Sequence, residues 1–353
     1  MNLDDLERFK QLDPQNMLGE IDGLPDQLAS AFKLGNSLPL PEMPALQHII
    51  ISGMGGSAIG ADLLEAYASP TCPVPITVHR DYGLPAWARG EHILVIASSH
   101  SGNTEETLDS FEAARKAGCR LMAISTGGEL TQRAQRLHLP AWTFDHAGQP
   151  RAAVGFSFGL LLALFTRLGL LMDQASVVES AVRAMKDSQK RLGVAIPAAQ
   201  NPAKRYAGQI IDRWVTFMGA GALAPVARRI KDQLNEVAKA GAAFEFLPEA
   251  DHNTLAGLLN PEPVLMPHTL TFFLRSPADL PRHRLRLDLT QKAYMAEGLN
   301  TDFIDARGDT LLANIWTLIL FGDYMAYFLA MAYGVDPTPV EILENLKKTL
   351  KGE

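Results

Sequence analysis

Two short segments bring together groups suited to holding an anion. Gly53-Met54-Gly55-Gly56-Ser57-Ala58-Ile59-Gly60 follows the apolar run His48 to Ser52 and opens a helical pattern. Glycines there let the backbone turn sharply and approach a ligand, while a helix start offers free N–H donors and partial positive charge. Ser98-Ser99-His100-Ser101-Gly102-Asn103-Thr104-Glu105-Glu106 follows the apolar run Ile93 to Ala97 and adds a series of hydroxyls. If both runs are parallel strands, both segments lie at the carboxyl edge of one sheet, where open α/β sheets bind ligands. No Walker-type lysine accompanies them, so hydroxyls, amides and the helix dipole would do the holding, which suits a phosphate monoester better than a triphosphate. Two other readings compete. Gly53, Gly55 and Ala58 satisfy G-x-G-x-x-A, with Asp81 near the end of the second strand, as in a nicotinamide-dependent dehydrogenase; or the glycines simply punctuate a turn. Asn103 and Glu106 also fit a capping box, which leaves the preceding hydroxyls unexplained.

The elements that must position these loops are legible as alternating periods. A helical N-terminal stretch, 1–36, precedes the Pro-rich linker Leu38-Pro39-Leu40-Pro41-Glu42-Met43-Pro44, which a helix cannot cross. Strands are expected at His48–Ser52, Pro75–Val78, Ile93–Ala97 and Leu121–Ile124, with helices at Ala58–Tyr67, Thr104–Ala117 and near Leu130. Continuous apolar strands separated by helices predict an α/β domain with a parallel sheet covered on both faces, 37–150. Linking helices, 151–211, lead to a second copy, 212–353: strand Trp214–Met218, helix Ala224–Ala240, strand Leu270–Leu274, helix Leu280–Glu297 and strand Asp302–Ile304. Helices at Leu311–Tyr333 and Pro339–Leu350 close the chain, with Pro339 suited to a first helical turn.

At 353 residues the chain is long enough for two cores, and 47% hydrophobic against 20% charged residues describes an ordinary globular enzyme. A formal net charge of −7 disfavours a nucleic-acid partner. Two cysteines, Cys72 and Cys119, supply neither a disulfide framework nor a zinc site, and no H-x-H, H-E-x-x-H or Asp-cluster spacing points to a metal. An acidic N-terminus without an apolar signal region fits a reducing cytoplasm. Ala152 to Met172 is nearly all apolar and about long enough to cross a bilayer, but Ser157, Thr166 and Arg167 argue instead for a buried helix packed on a sheet.

The ordered occurrence of G-M-G-G-S-A-I-G, of Ser99-His100-Ser101-Gly102-Asn103-Thr104-Glu105-Glu106-Thr107 and of Gln149-Pro150-Arg151-Ala152-Ala153 before a long apolar helix resembles the bifunctional phosphoglucose/phosphomannose isomerase family. The likeness runs from about Ile49 to Lys347. It implies two sugar-isomerase (SIS) type three-layer α/β/α domains with parallel sheets plus flanking helices, no metal or other cofactor, and a homodimer with active sites at the subunit interface. The implied reaction interconverts glucose 6-phosphate, and mannose 6-phosphate where room near C2 around Thr338 to Val340 permits, with fructose 6-phosphate through a cis-enediol.

The resemblance assigns the substrate phosphate to Gly56, Ser57, Ser99, Ser101 and Thr104. His100 stands where relatives often have Tyr, and its side chain is expected to flank the site. Isomerisation needs a base to move a proton between adjacent carbons, a positive group for the enediolate oxygen and an acid/base pair for the ring. By motif, Glu236 in Leu234-Asn235-Glu236-Val237 is the proton shuttle and Arg151 the enediolate partner. His252 in Asp251-His252-Asn253 assists ring opening, reaching the other subunit's site, and Lys347, with Lys348 beside it, serves the ring oxygen. A sugar-phosphate-binding protein without catalysis would need the phosphate loops but not Glu236, His252 and Arg151 together.

Overall fold

The computed structural model describes residues 2–43, 45–350 and 352. Met1, the start of the expected N-terminal helical stretch, and Pro44, the last proline of the expected linker, lie outside them, as do Lys351 and Glu353. Two compact units emerge. The first comprises Gly23–Met185 and Gly308–Asn314; the second comprises Met1–Asp22, Lys186–Arg307 and Ile315–Glu353. These units are interleaved along the chain, whereas the segments expected from sequence are contiguous.

In the first unit, largely apolar runs form parallel strands β1 (His48–Ser52), β2 (Ile76–His79), β3 (Ile93–Ser98), β4 (Arg120–Ser125) and β5 (Ala141–Thr143). Their order is β2-β1-β3-β4-β5. β1 and β3 are adjacent and in register, Ile50 opposite Val95, and both are buried at their centres. The chain winds outward in opposite directions from this pair, so the crevice at their carboxyl ends is the sheet's topological switch point. Helices Glu105–Lys116 and Gly128–Arg136 bury Phe111 and Leu130 against Val95 and Ala123. Elsewhere helix Leu24–Ser37 packs on helix Val154–Arg167, which also packs on helix Gly55–Ala68. Glycine permits the close approach. A Cβ on Gly159 would sit 2.7 Å from Ala31 Cβ, and one on Gly60 2.6 Å from Ser157 Cβ.

The apolar segment from Ala152 therefore becomes a helix of 14 residues, about 21 Å long, short of the roughly 30 Å of a bilayer core, and its chief partners are helices. Among the described residues, the helix long and apolar enough to cross a membrane is instead Leu311–Tyr333, and 94% of its apolar window is buried inside the protein. It is a core helix.

The second unit repeats the pattern with β6 (Trp214–Ala220), β7 (Ala242–Leu247), β8 (Thr269–Arg275) and β9 (Thr301–Asp305), all parallel, in the order β7-β6-β8-β9. This is the first sheet without its last strand. Helix Ala224–Glu236 stops four residues earlier than expected, and Lys239 beyond it takes a left-handed φ of 56°. The last helix is Glu341–Leu350, so Pro339 precedes it rather than occupying its first turn. Helix Ala224–Glu236 is fixed by a buried ion pair, Arg229 Nη2 to Asp323 Oδ1 and Oδ2 at 3.2 and 3.1 Å, with side chains 2% and 5% exposed. Removing one member strands a buried charge. Asp323→Ala is expected to lower stability by about 3–5 kcal/mol, and a charge-free Arg229→Met/Asp323→Leu double variant should recover most of it; urea unfolding followed by circular dichroism reads both, and an unchanged midpoint in Asp323→Ala refutes the assignment.

Candidate active site

The first loop is built around one close contact. Met54 is extended, Gly55 takes φ +50°, and helix Gly55–Ala68 starts at once, so its first amides face the switch point. Gly56 lies against the Pro150–Ala153 turn: a Cβ there would be 2.5 Å from the Pro150 carbonyl oxygen and 3.4 Å from Arg151 Cα. Ser57 is buried, and its Oγ accepts the His100 N–H at 3.1 Å. A hydroxyl that accepts still has a proton to donate.

The second loop closes on the first through that His100–Ser57 bond. Ser99 Oγ and Thr104 Oγ1 share a hydrogen bond of 2.8 Å, and Ser99 Oγ accepts the Gly102 N–H at 3.1 Å. Ser101 is exposed, its Oγ accepting the Asn103 N–H at 3.2 Å. Gly102 has φ +68°, and a Cβ there would collide with the Gly127 carbonyl. The expected capping box is absent at this point. Thr104 is the N-cap residue of helix Glu105–Lys116, and Asn103 Oδ1 accepts from Glu129 N at 3.0 Å, serving the start of the neighbouring helix Gly128–Arg136. Asp81, the residue that would bind a ribose, follows β2 and accepts the Tyr82 N–H at 2.8 Å.

His100 does more than flank the loop. Its Nε2 is 2.9 Å from His146 Nδ1, and the pair lies beside the stacked rings of Phe144 and Phe156, 4.7 Å apart. Burial, reinforced by His146, pulls the His100 pKa down from 6.5 to about 4, so the ring is neutral at pH 7. His146 precedes Arg151 by five residues, and the imidazole bond therefore ties the hydroxyl loop to the strand-to-helix segment bearing that arginine. Arg151 is 3% exposed, with Nη1 3.4 Å from Gln149 Oε1. Gln27 braces the same segment, donating to the Ala152 carbonyl at 2.9 Å and accepting from Gly155 N at 2.7 Å. Neither Gln27 nor His146 stands in a local motif, and only the fold reveals them.

The second unit holds the remaining candidates on three separate elements. Glu236 is the last residue of helix Ala224–Glu236 and is partly buried; its carbonyl accepts Lys239 Nζ at 2.6 Å, and the same ammonium reaches the Pro337 carbonyl at 3.3 Å. His252 is exposed at the end of the turn Glu249–His252. That turn is anchored by its neighbour Asp251, which accepts from Arg286 Nη1 and Thr290 Oγ1, both at 2.6 Å. Lys347 is exposed on helix Glu341–Leu350, which buries none of its residues. Gly56, Ser57, Ser99, Ser101, Thr104 and Arg151 thus form one assembly in the first unit, while Glu236, His252 and Lys347 belong to the second.

Two outcomes follow from the cradle. Gly56→Ala must separate the helix start from the Arg151 turn, and is expected to weaken sugar-phosphate binding by about tenfold or more, equivalent to roughly 1.4 kcal/mol, with helix content retained; calorimetric titration checks it, and unchanged affinity refutes it. The depressed His100 pKa means that the unfolded chain takes up the proton first as pH falls below 6.5. The stability this site contributes is present above that pH and lost progressively toward about pH 4. His100→Gln should flatten the melting-temperature profile across that window, and an unaltered profile would mean that the pH dependence arises from other groups.

Comparisons with known proteins identify the family. The family model for the bacterial phospho-glucose isomerase C-terminal SIS domain matches residues 199–350. A bifunctional phosphoglucose/phosphomannose isomerase of Caldicellulosiruptor bescii is 34% identical over 336 residues, 95% of this chain and 98% of the relative. One of the same name from Aquifex aeolicus is 31% identical over 311 residues, 88% and 92% of the two chains. In fold, the crystal structure of tagatose-6-phosphate ketose/aldose isomerase from Escherichia coli aligns with a TM-score of 0.72 at 17% identity, covering 91% of this chain and 94% of the other. With relatives this similar along nearly the whole of both chains, this chain belongs to the bifunctional phosphoglucose/phosphomannose isomerase family.

Proposed function

We propose that this chain interconverts glucose 6-phosphate, and also mannose 6-phosphate, with fructose 6-phosphate by proton transfer through a cis-enediol. The observation that carries the reading is the cradle in which Ser57, Ser99 and Thr104, with Ser101 on the same loop, gather by the first amides of helix Gly55–Ala68 beside Arg151. Relatives named for activity on both phosphosugars support it.

In this mechanism the phosphate is gripped by the hydroxyls and amides, which fixes C1 and C2 at a set distance from the cradle. Arg151 meets the oxygen that gains negative charge as the enediolate forms; its guanidinium stays cationic and its planar fork suits two donated hydrogen bonds. Glu236 takes the proton from C2 and returns it to C1, or the reverse. His252 serves ring opening, as an imidazole with one nitrogen to accept and one to donate a proton, and comes from the second subunit of a homodimer. Lys347 donates to the ring oxygen. No metal takes part, and the enzyme works in the cytoplasm. The exposed setting of His252 on an anchored turn is compatible with service across an interface. A sugar-phosphate sensor would require the cradle alone, and would leave the shuttle carboxylate without a task.

Glu236→Gln is the decisive variant. With EDTA present, kcat for both sugars is expected to fall by about 10²–10⁴-fold, the usual weight of a general base, with KM changed only a few-fold. Steady-state assays with each aldose 6-phosphate check this. Retained turnover would remove Glu236 from the mechanism, while phosphosugar binding without turnover in the wild type would favour the sensor.

A further inference from the structure

Arg151 lies in a turn that is fixed from both sides. The carbonyl before it, that of Pro150, lies against the Gly56 backbone. The carbonyl after it, that of Ala152, accepts Gln27 Nε2 at 2.9 Å. Gln27 stands in the first turn of helix Leu24–Ser37, 125 residues before Ala152 in the chain. Its Oε1 accepts Gly155 N at 2.7 Å and Phe156 N at 3.3 Å. A carbonyl only accepts and an N–H only donates, so these three partners fix which end of the amide points where.

An α-helix running through Ala152 would give that carbonyl to Phe156 N. Gln27 takes both groups. The segment Pro150–Ala153 is accordingly a 3₁₀ turn, and the α-helix begins only at Val154. The backbone is matched to this side chain: a Cβ on Gly155 would lie 2.6 Å from Gln27 Oε1. The two halves of the amide do different things. Its oxygen satisfies two of the orphan N–H groups that every helix start leaves, a task for which any short acceptor side chain serves. Capping needs no donor, yet the Nε2 half goes to the carbonyl beside Arg151.

We propose that Gln27 is a positioning residue for the isomerase reaction: its donated bond keeps the Arg151 turn out of the helix and so aims the guanidinium at the oxygen that becomes charged. This rests on the role given to Arg151 in the proposed function. The charge that Arg151 meets there develops only on the way to the enediolate. A misaimed guanidinium therefore slows the chemical step, while ground-state binding, which depends on the hydroxyl loops, is nearly kept. Displacing such a group by about 1 Å can cost about 10²-fold in rate.

The test is steady-state turnover of glucose 6-phosphate by the full chain as wild type, Gln27→Glu, Gln27→Met, Arg151→Gln and the double variant Gln27→Glu/Arg151→Gln, with thermal melting of each. Gln27→Glu keeps an acceptor for the two helix amides and loses the donor. It should retain most of the wild-type melting temperature while kcat falls roughly 10–10²-fold and KM stays within about threefold. Gln27→Met, which brings no charge near Arg151, should show the same loss of kcat; if it does not fold, Gln27→Glu decides. In the double variant kcat should be no lower than in Arg151→Gln alone, because a residue that acts through Arg151 then has nothing left to aim. Losses that multiply in the double variant overturn the proposal, as does full kcat in either Gln27 variant. Turnover impaired in Arg151→Gln but untouched in Gln27→Glu would make Gln27 a helix cap and nothing more, leaving the isomerase reading in place. A wild type without turnover would remove that reading and this inference together.

Discussion

The contact between the Gly56 backbone and the Pro150 carbonyl is the constraint on which the candidate active site depends. It joins two pieces of chain almost a hundred residues apart with no side chain between them. On one side stands a helix start, a source of N–H donors and positive potential. On the other stands Arg151, buried and braced through Gln149, while Gln27 fixes the backbone that follows. A single added methyl group would push the anion seat away from the cation. The hydrogen bonds from His100 to Ser57 and to His146 extend the same logic, tying the hydroxyl loop to both sides of the seam.

The two units show how one sheet topology is put to different uses. In the first, the turn after β1 is rich in glycine and leads into a helix bearing Ser57, and the loop after β3 supplies Ser99, Ser101 and Thr104. In the second, β6 also ends in a glycine-rich turn, with Gly221 at φ +52°, but Leu223, Ala224 and Pro225 follow and no hydroxyl takes the place of Ser57. The second unit instead contributes the ends of elements: Glu236 closing a helix, His252 closing a turn, Lys347 on a terminal helix. The residues proposed to hold phosphate and those proposed to move protons thus fall in different units.

Much of this was legible in the sequence wherever local chemistry decides. β1 is found at His48–Ser52 as expected, because a run of isoleucines between polar residues has one stable use. β5, three residues long, and β7, an edge strand interrupted by Glu245, carry too little pattern to be read, and both are missing from the expectation. The capping-box pattern misled because tertiary structure claims Asn103 for the next helix, a competitor 26 residues away. Helix Leu311–Tyr333 stands where the sequence places it, and only the fold shows its Asp323 carboxylate answered by buried Arg229. His146 meets His100 through packing alone, so no spacing rule reaches it.

Isotope exchange tests the central claim most directly. If the gripped sugar phosphate is isomerised by a carboxylate that moves a proton through an enediol, turnover of glucose 6-phosphate in deuterated water should place solvent deuterium on carbon in the sugar pool, at C1 of fructose 6-phosphate and C2 of the recovered aldose, because the shuttled proton can be exchanged before its return. Nuclear magnetic resonance reads both positions. Turnover with the original hydrogen wholly retained would point to hydride transfer and contradict the account, and no turnover at all would contradict it more simply.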